Sequence, residues 1–133
     1  MENLRSNDYR KQYFAKHHGF FGIYCCSYCG KLLIKDNATI DHIIPVSAAE
    51  QHKFVAWLFR WKKEGINTLF NLTTACEHCN TRKKNRCGIW LFRGWIGRCF
   101  FPMFWFVFFI TWPYFLSYAL AFFYVILTEC SFS

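Results

Sequence analysis

A chain of 133 residues has room for one modest domain and an appendage, which excludes two full-sized cores. Sixteen Lys and Arg against eight Asp and Glu exclude an acidic surface and point to a polyanionic partner, nucleic acid or an anionic membrane. The charge is uneven: all the cations and seven of the acids lie in residues 1–98, and residues 99–133 carry only Glu129.

Residues 1–24 read as an amino-terminal extension. The first eleven are charged and lack an apolar core, so no cleavable secretory signal is expected. Eight cysteines without such a signal favour metal ligation or free thiols over a disulfide framework. A short helix is expected near residues 8–16, followed by a loop. His17 and His18 form a pair in a basic segment and read as solvated.

Next comes Cys26-x-x-Cys29-Gly30, half of a zinc knuckle: two thiolates on a tight turn whose glycine supplies a positive-φ bend. Cys25 competes for the first ligand position, but the Cys-x-x-Cys-Gly spacing favours Cys26. The second half is Cys76-Glu77-His78-Cys79. Together Cys26, Cys29, Cys76 and Cys79 can complete a tetrahedral structural Zn²⁺ site, a large gain for so small a core. His78 lies inside the second pair and is expected to point outward.

Between the two pairs, Thr39-Ile40-Asp41-His42-Ile43-Ile44-Pro45-Val46 reads as a short strand ended by Pro45. It sets an acid that can hold a hard cation beside an imidazole that can take a proton near neutral pH. Residues 47–64 have roughly helical apolar spacing and a natural stop at Gly65. Trp57 and Trp61, four apart, are expected to pack. Gly65 to Thr73 gives a turn and a short strand, and a helix is expected from Thr74, with Thr74 near its N-cap. That helix would carry Cys76, Cys79, Asn80 and the basic cluster Arg82, Lys83, Lys84 and Arg86, a candidate phosphate-gripping face.

Cys26-x-x-Cys29-Gly30, Asp41-His42-Ile43-Ile44-Pro45, Asn71-Leu72 and Cys76-x-x-Cys79-Asn80-x-x-Lys83 occur in the order and setting of the HNH endonucleases, which this chain resembles over about residues 25–86. The resemblance implies an α+β fold, a small ββα-metal domain with a zinc knuckle. One strand would carry Asp41-His42, a second would lie near Asn71, and a helix would cross them. It also implies roles: His42 as general base, Asp41 as a metal-ligand acid, and Asn71 as the brace that orients the histidine. Asn80 stands where the family name has its final His and keeps an oxygen ligand. An Asp41/Asn80 oxygen site suits Mg²⁺ or Mn²⁺. The implied activity is metal-dependent hydrolysis of phosphodiester bonds, in DNA or RNA. A non-catalytic zinc module that binds nucleic acid near a membrane is the alternative, but it would need neither Asp41-His42 nor Asn80.

Residues 99–128 are 30 residues without a charge, and 15 of the last 35 residues are aromatic. A buried soluble helix rarely runs so long uncharged, so the expectation is one transmembrane helix spanning about 104–127. Pro113 would kink it, and Trp95, Trp105 and Trp112 would lie near the inner interface. A re-entrant hairpin broken at Pro113 is the other arrangement. Six cations between Arg82 and Arg98 precede the segment, which keeps the preceding part cytoplasmic by the positive-inside rule. The expected organisation is thus an extension at 1–24, an HNH domain at 25–90 and a membrane segment at 91–133.

Overall fold

The computed structural model describes residues 8–62 and 64–130. Residues 1–7 of the expected extension, Lys63 in the expected helix and residues 131–133 of the expected membrane segment lie outside them. The chain divides into two compact units, Met1–Phe101 and Pro102–Ser133.

The first unit opens with α1 (Asp8–Lys16), whose acid in the first turn and lysine in the last complement the helix dipole. Its Tyr13 and Phe14 are buried among Tyr24, Leu33, Cys26 and Ile40. The hairpin β1 (Ile23–Cys25) and β2 (Leu32–Ile34) pairs Tyr24 with Leu33 and carries the first cysteine pair at its tip. Gly30 closes that tip at φ +77, and a Cβ there would meet the Phe101 ring at 2.6 Å.

A 3₁₀ turn at Lys35–Asn37 leads into β3 (Ala38–His42), which pairs antiparallel with β4 (Leu72–Cys76). The register sets Asp41 against Thr73 and His42 against Leu72. Helix α4 (Glu77–Lys83) follows β4 directly, so the β3–β4–α4 order is the ββα arrangement implied by the resemblance.

The stretch at 47–64 differs from a single helix. It forms α2 (Val46–Gln51) and α3 (Lys53–Phe59), because His52 takes an extended conformation (φ −116, ψ 111) that re-aims the chain. Gly65 does not stop a helix; it opens a 3₁₀ turn at Gly65–Asn67. Thr74 is not an N-cap. It sits inside β4 with its hydroxyl donating to the Cys25 carbonyl at 2.7 Å, so the strand outlasts the expected helix start by two residues. The N-cap is Cys76, whose Sγ accepts from the Cys79 amide.

Helix α5 (Ile89–Cys130) begins in the first unit. Gly94 lies where a Cβ would come within 3.1 Å of Ile43 and 3.2 Å of Tyr28, and a Cβ on Gly97 would clash with the Ser27 carbonyl. The two glycines let this helix lie directly on the knuckle. Arg93 donates to the Tyr28 carbonyl at 2.8 Å, and Arg98 donates to the carbonyls of Leu69 and Phe70. The Trp95 ring tilts against Phe70 at 4.2 Å.

From Pro102 onward the helix is its own unit. Residues 89–127 are long and apolar enough to cross a membrane. The part from 102 to 127 measures roughly 39 Å at helical rise, against a hydrocarbon core of about 30 Å. Its aromatic rings stack along the helix, Trp105 on Phe109 and Phe108 on Trp112. The Thr111 hydroxyl donates to the Val107 carbonyl at 3.0 Å and the Ser117 hydroxyl to the Tyr114 carbonyl at 2.8 Å.

Candidate metal centre and active site

The four cysteines converge. The sulfurs of Cys26, Cys29, Cys76 and Cys79 all lie within 4.8 Å of one another, with Cys29 and Cys76 at 3.9 Å. Ligands at about 2.3 Å from a tetrahedral ion stand about 3.8 Å apart, so this set can hold a zinc ion. Cys25 turns away and donates to the Gly30 carbonyl at 3.3 Å. His78 is exposed, as expected.

Burial pushes the Cys26 thiol up to about 11 and raises Cys79 as well. At Cys76 burial works in the same direction, but the Cys79 amide and the neighbouring thiols outweigh it and lower the pKa.

The knuckle is built onto the second sheet. Ser27 and Thr73 share a hydrogen bond at 2.5 Å, and the Ser27 amide donates to the Thr74 carbonyl. This places Tyr28, 1 % exposed, over Asp41 at the end of β3. The Tyr28 hydroxyl donates to Asp41 Oδ2 at 2.6 Å, and Lys83 Nζ reaches the same oxygen at 2.9 Å. Burial, and then the Asp41 charge, raise the Tyr28 pKa, so this phenol stays a donor.

Lys83 was expected on a phosphate-gripping face with Arg82, Lys84 and Arg86. Its side chain is instead fully buried, bonded to Asp41 and to the His42 carbonyl at 2.6 Å. The reason is helical phase: Arg82, Lys84 and Arg86 are exposed, and only Lys83 faces the strand. Asn80, three residues earlier, shares that face of α4. Its side chain is half-buried and makes no hydrogen bond among the described residues.

His42 is held from two sides. Its Nε2 lies 2.8 Å from Asn67 Oδ1, and its ring tilts against Tyr9 of α1 at 4.9 Å. An amide oxygen can only accept, so Nε2 carries the proton and Nδ1 has the lone pair. Burial lowers the His42 pKa below 6.5, against smaller opposing effects of the Asn67 bond and the Asp41 charge.

Asn71 is fully buried just before β4. Its amide donates to the carbonyls of Ile44 and Ile66 and accepts from the Ile44 amide, and its carbonyl takes the Ile43 amide. It ties the segment after His42 to the turn that carries Asn67. Asn71 makes no bond to the imidazole, whose hydrogen bond is to Asn67.

Sequence reasoning missed Asn67, Tyr9, Tyr28 and the inward Lys83. A polar residue two positions after a turn glycine and a tyrosine inside a cysteine pair were the available signals, and neither is specific. His17, expected to be solvated, is half-buried and stacks flat on Tyr13 at 4.4 Å.

For a hard divalent ion the donor chemistry fits. Asp41 Oδ1 meets no protein donor among the described residues, and Asn80 offers an amide oxygen. Comparison with curated proteins and with solved structures gives no match. Residues 59–86, which run from the end of α3 through α4 and contain Asn67, Asn71, Cys76, Cys79, Asn80 and Lys83, match the family model described as HNH endonuclease. With the ββα order around them and the cysteine cluster beside them, these residues are similar to an HNH endonuclease.

Proposed function

We propose that this protein is a metal-dependent endonuclease of the HNH type that hydrolyses phosphodiester bonds in DNA, stapled by zinc and held at a membrane by α5. The observation that carries the reading is His42, which follows Asp41 in β3 and whose Nε2 is held 2.8 Å from Asn67 Oδ1, leaving the lone pair on Nδ1. In this reading Nδ1 takes the proton from the attacking water. Asn67 fixes the tautomer, as the third group of a catalytic triad does, and Tyr9 limits ring rotation.

Asp41, through Oδ1, and Asn80 would hold the catalytic Mg²⁺ or Mn²⁺. Such an ion, when bound, stabilises negative charge on the phosphate and on the leaving oxygen. Tyr28 and Lys83 anchor the other oxygen of Asp41, so the carboxylate presents one oxygen in a fixed direction. Lys83 also matches the Asp41 charge. A site so neutralised would bind the cation weakly until substrate phosphate is present. Arg82, Lys84 and Arg86, all exposed, supply sequence-independent phosphate contacts.

We assign catalysis to residues 25–90. Residues 1–24 are an extension whose α1 covers His42. Residues 91–133 are directed to the membrane, with the first turns of α5 retained on the catalytic part. The cations that precede the apolar stretch place the nuclease on the cytoplasmic side. Full-length protein in detergent should nick or linearise supercoiled plasmid with Mg²⁺, and a chelator should stop it. Absence of cleavage with both Mg²⁺ and Mn²⁺ would overturn the reading.

A further inference from the structure

Trp57 and Trp61 were expected to pack, and both are instead exposed. Phe54, Trp57, Leu58 and Trp61 are 68, 52, 45 and 80 % exposed. Their spacing of three, four and seven residues puts them on one face of α3 and the turn that ends it. The opposite face carries Val55 and Phe59, and Phe59 is buried. The helix is therefore anchored by one narrow stripe and leaves a wider apolar stripe open. The rings of Phe54 and Trp57 stack at 6.0 Å, which keeps the stripe a continuous surface. Lys53, Arg60 and Lys62, all exposed, flank it.

We propose that α3 is a second membrane contact, lying in the headgroup layer of an anionic bilayer with Phe54, Trp57, Leu58 and Trp61 dipped into it. The inference rests on the reading of α5 as a membrane anchor. Apolar and aromatic residues bordered by lysine and arginine are what an interfacial helix needs: apolar area to bury and cations for lipid phosphates. An indole suits this depth because its ring is apolar while its N–H can stay hydrated. The tether supplies the rest. A bilayer that already holds α5 is presented to α3 at high effective concentration, so a short helix too weak to bind alone can engage. Nucleic acid is the lesser fit, since Leu58 offers no ring to a base and Phe54 and Trp57 stack on each other.

The test uses the full chain in phosphatidylcholine vesicles, with or without phosphatidylglycerol, and in detergent. Flotation reports incorporation, and amide hydrogen exchange is read over residues 53–62. The expected result is exchange about tenfold slower in the anionic vesicles than in detergent. The protection should be weaker in phosphatidylcholine alone. It should be lost when Phe54, Trp57, Leu58 and Trp61 are all changed to Ser, substitutions at exposed positions that leave the core intact. A chain that floats but shows no slowing over α3 overturns this inference and leaves the anchor standing. Protection that appears in detergent on adding duplex DNA, or on raising protein concentration, assigns the stripe to nucleic acid or to a second copy and overturns it too. A chain that floats with neither vesicle overturns both the anchor and this inference.

Discussion

Lys83 Nζ lies 2.9 Å from Asp41 Oδ2, joining α4 to the end of β3 by an ion pair whose lysine side chain is completely buried. A charge so placed is costly unless matched, and removing one partner of a buried pair typically costs 3–5 kcal/mol. Lys83→Met should therefore destabilise the fold by about 3 kcal/mol in a urea titration. It also leaves the Asp41 carboxylate unmatched and more attractive to a divalent ion. Added Mg²⁺ should then stabilise the variant more than the parent, by the linkage between binding and folding. An equal Mg²⁺ response in both would remove Asp41 from the metal site.

The imidazole of His42 serves as a base only when neutral. Burial lowers its pKa below 6.5, so the cleavage rate should rise with pH and level off before neutrality. The Asn67 hydrogen bond works against that lowering. Asn67→Ala should thus shift the inflection to still lower pH, and the lost tautomer control should slow the plateau rate by about tenfold or more. An unchanged profile would make Asn67 merely structural.

Zinc should be found at one ion per chain by elemental analysis and should be lost from Cys79→Ser together with cooperative unfolding, because a domain of this size leans on its staple. Cys25→Ser should retain the metal, since its sulfur faces the Gly30 carbonyl and not the cluster. Zinc retention in Cys79→Ser with full stability would dissolve the assignment.

The chain shortened to end at Phe101 keeps Arg93, Gly94, Gly97 and Arg98 on the knuckle and should be soluble, folded and active. Ending it at Gly88 uncovers Tyr28 and Ile43, now 1 and 0 % exposed, and should cost about 3 kcal/mol from lost apolar burial. Equal urea midpoints for the two would show that the start of α5 contributes nothing to the fold.

What could be read in the sequence was what spacing fixes locally. The two Cys-x-x-Cys pairs and the Asp41-His42 strand were marked by spacing and β-branched residues, α1 was expected at the residues it occupies, and Asn71 came only with the family resemblance. What could not be read depends on which way an element turns against its neighbour. Arg82, Lys83 and Lys84 are equivalent as a basic run, and only the phase of α4 against β3 sends Lys83 inward. Apolar residues in α3 line two faces, and composition does not say that Val55 and Phe59 find the core while Trp57 finds none. Asn67 acts from a 3₁₀ turn, where no periodicity marks a functional side chain. The extra residues of β4 through Cys76 come from pairing with β3, a tertiary effect that local N-cap chemistry at Thr74 did not foresee.

The central claim is that His42 is the general base of phosphodiester cleavage. It is tested most directly by the single-turnover cleavage rate of His42→Ala on plasmid DNA with Mg²⁺, with DNA affinity measured beside it. A general base supplies at least about 10²-fold, so the account predicts a rate loss of that size or more with affinity nearly unchanged. A variant that cleaves as fast as the parent would contradict it.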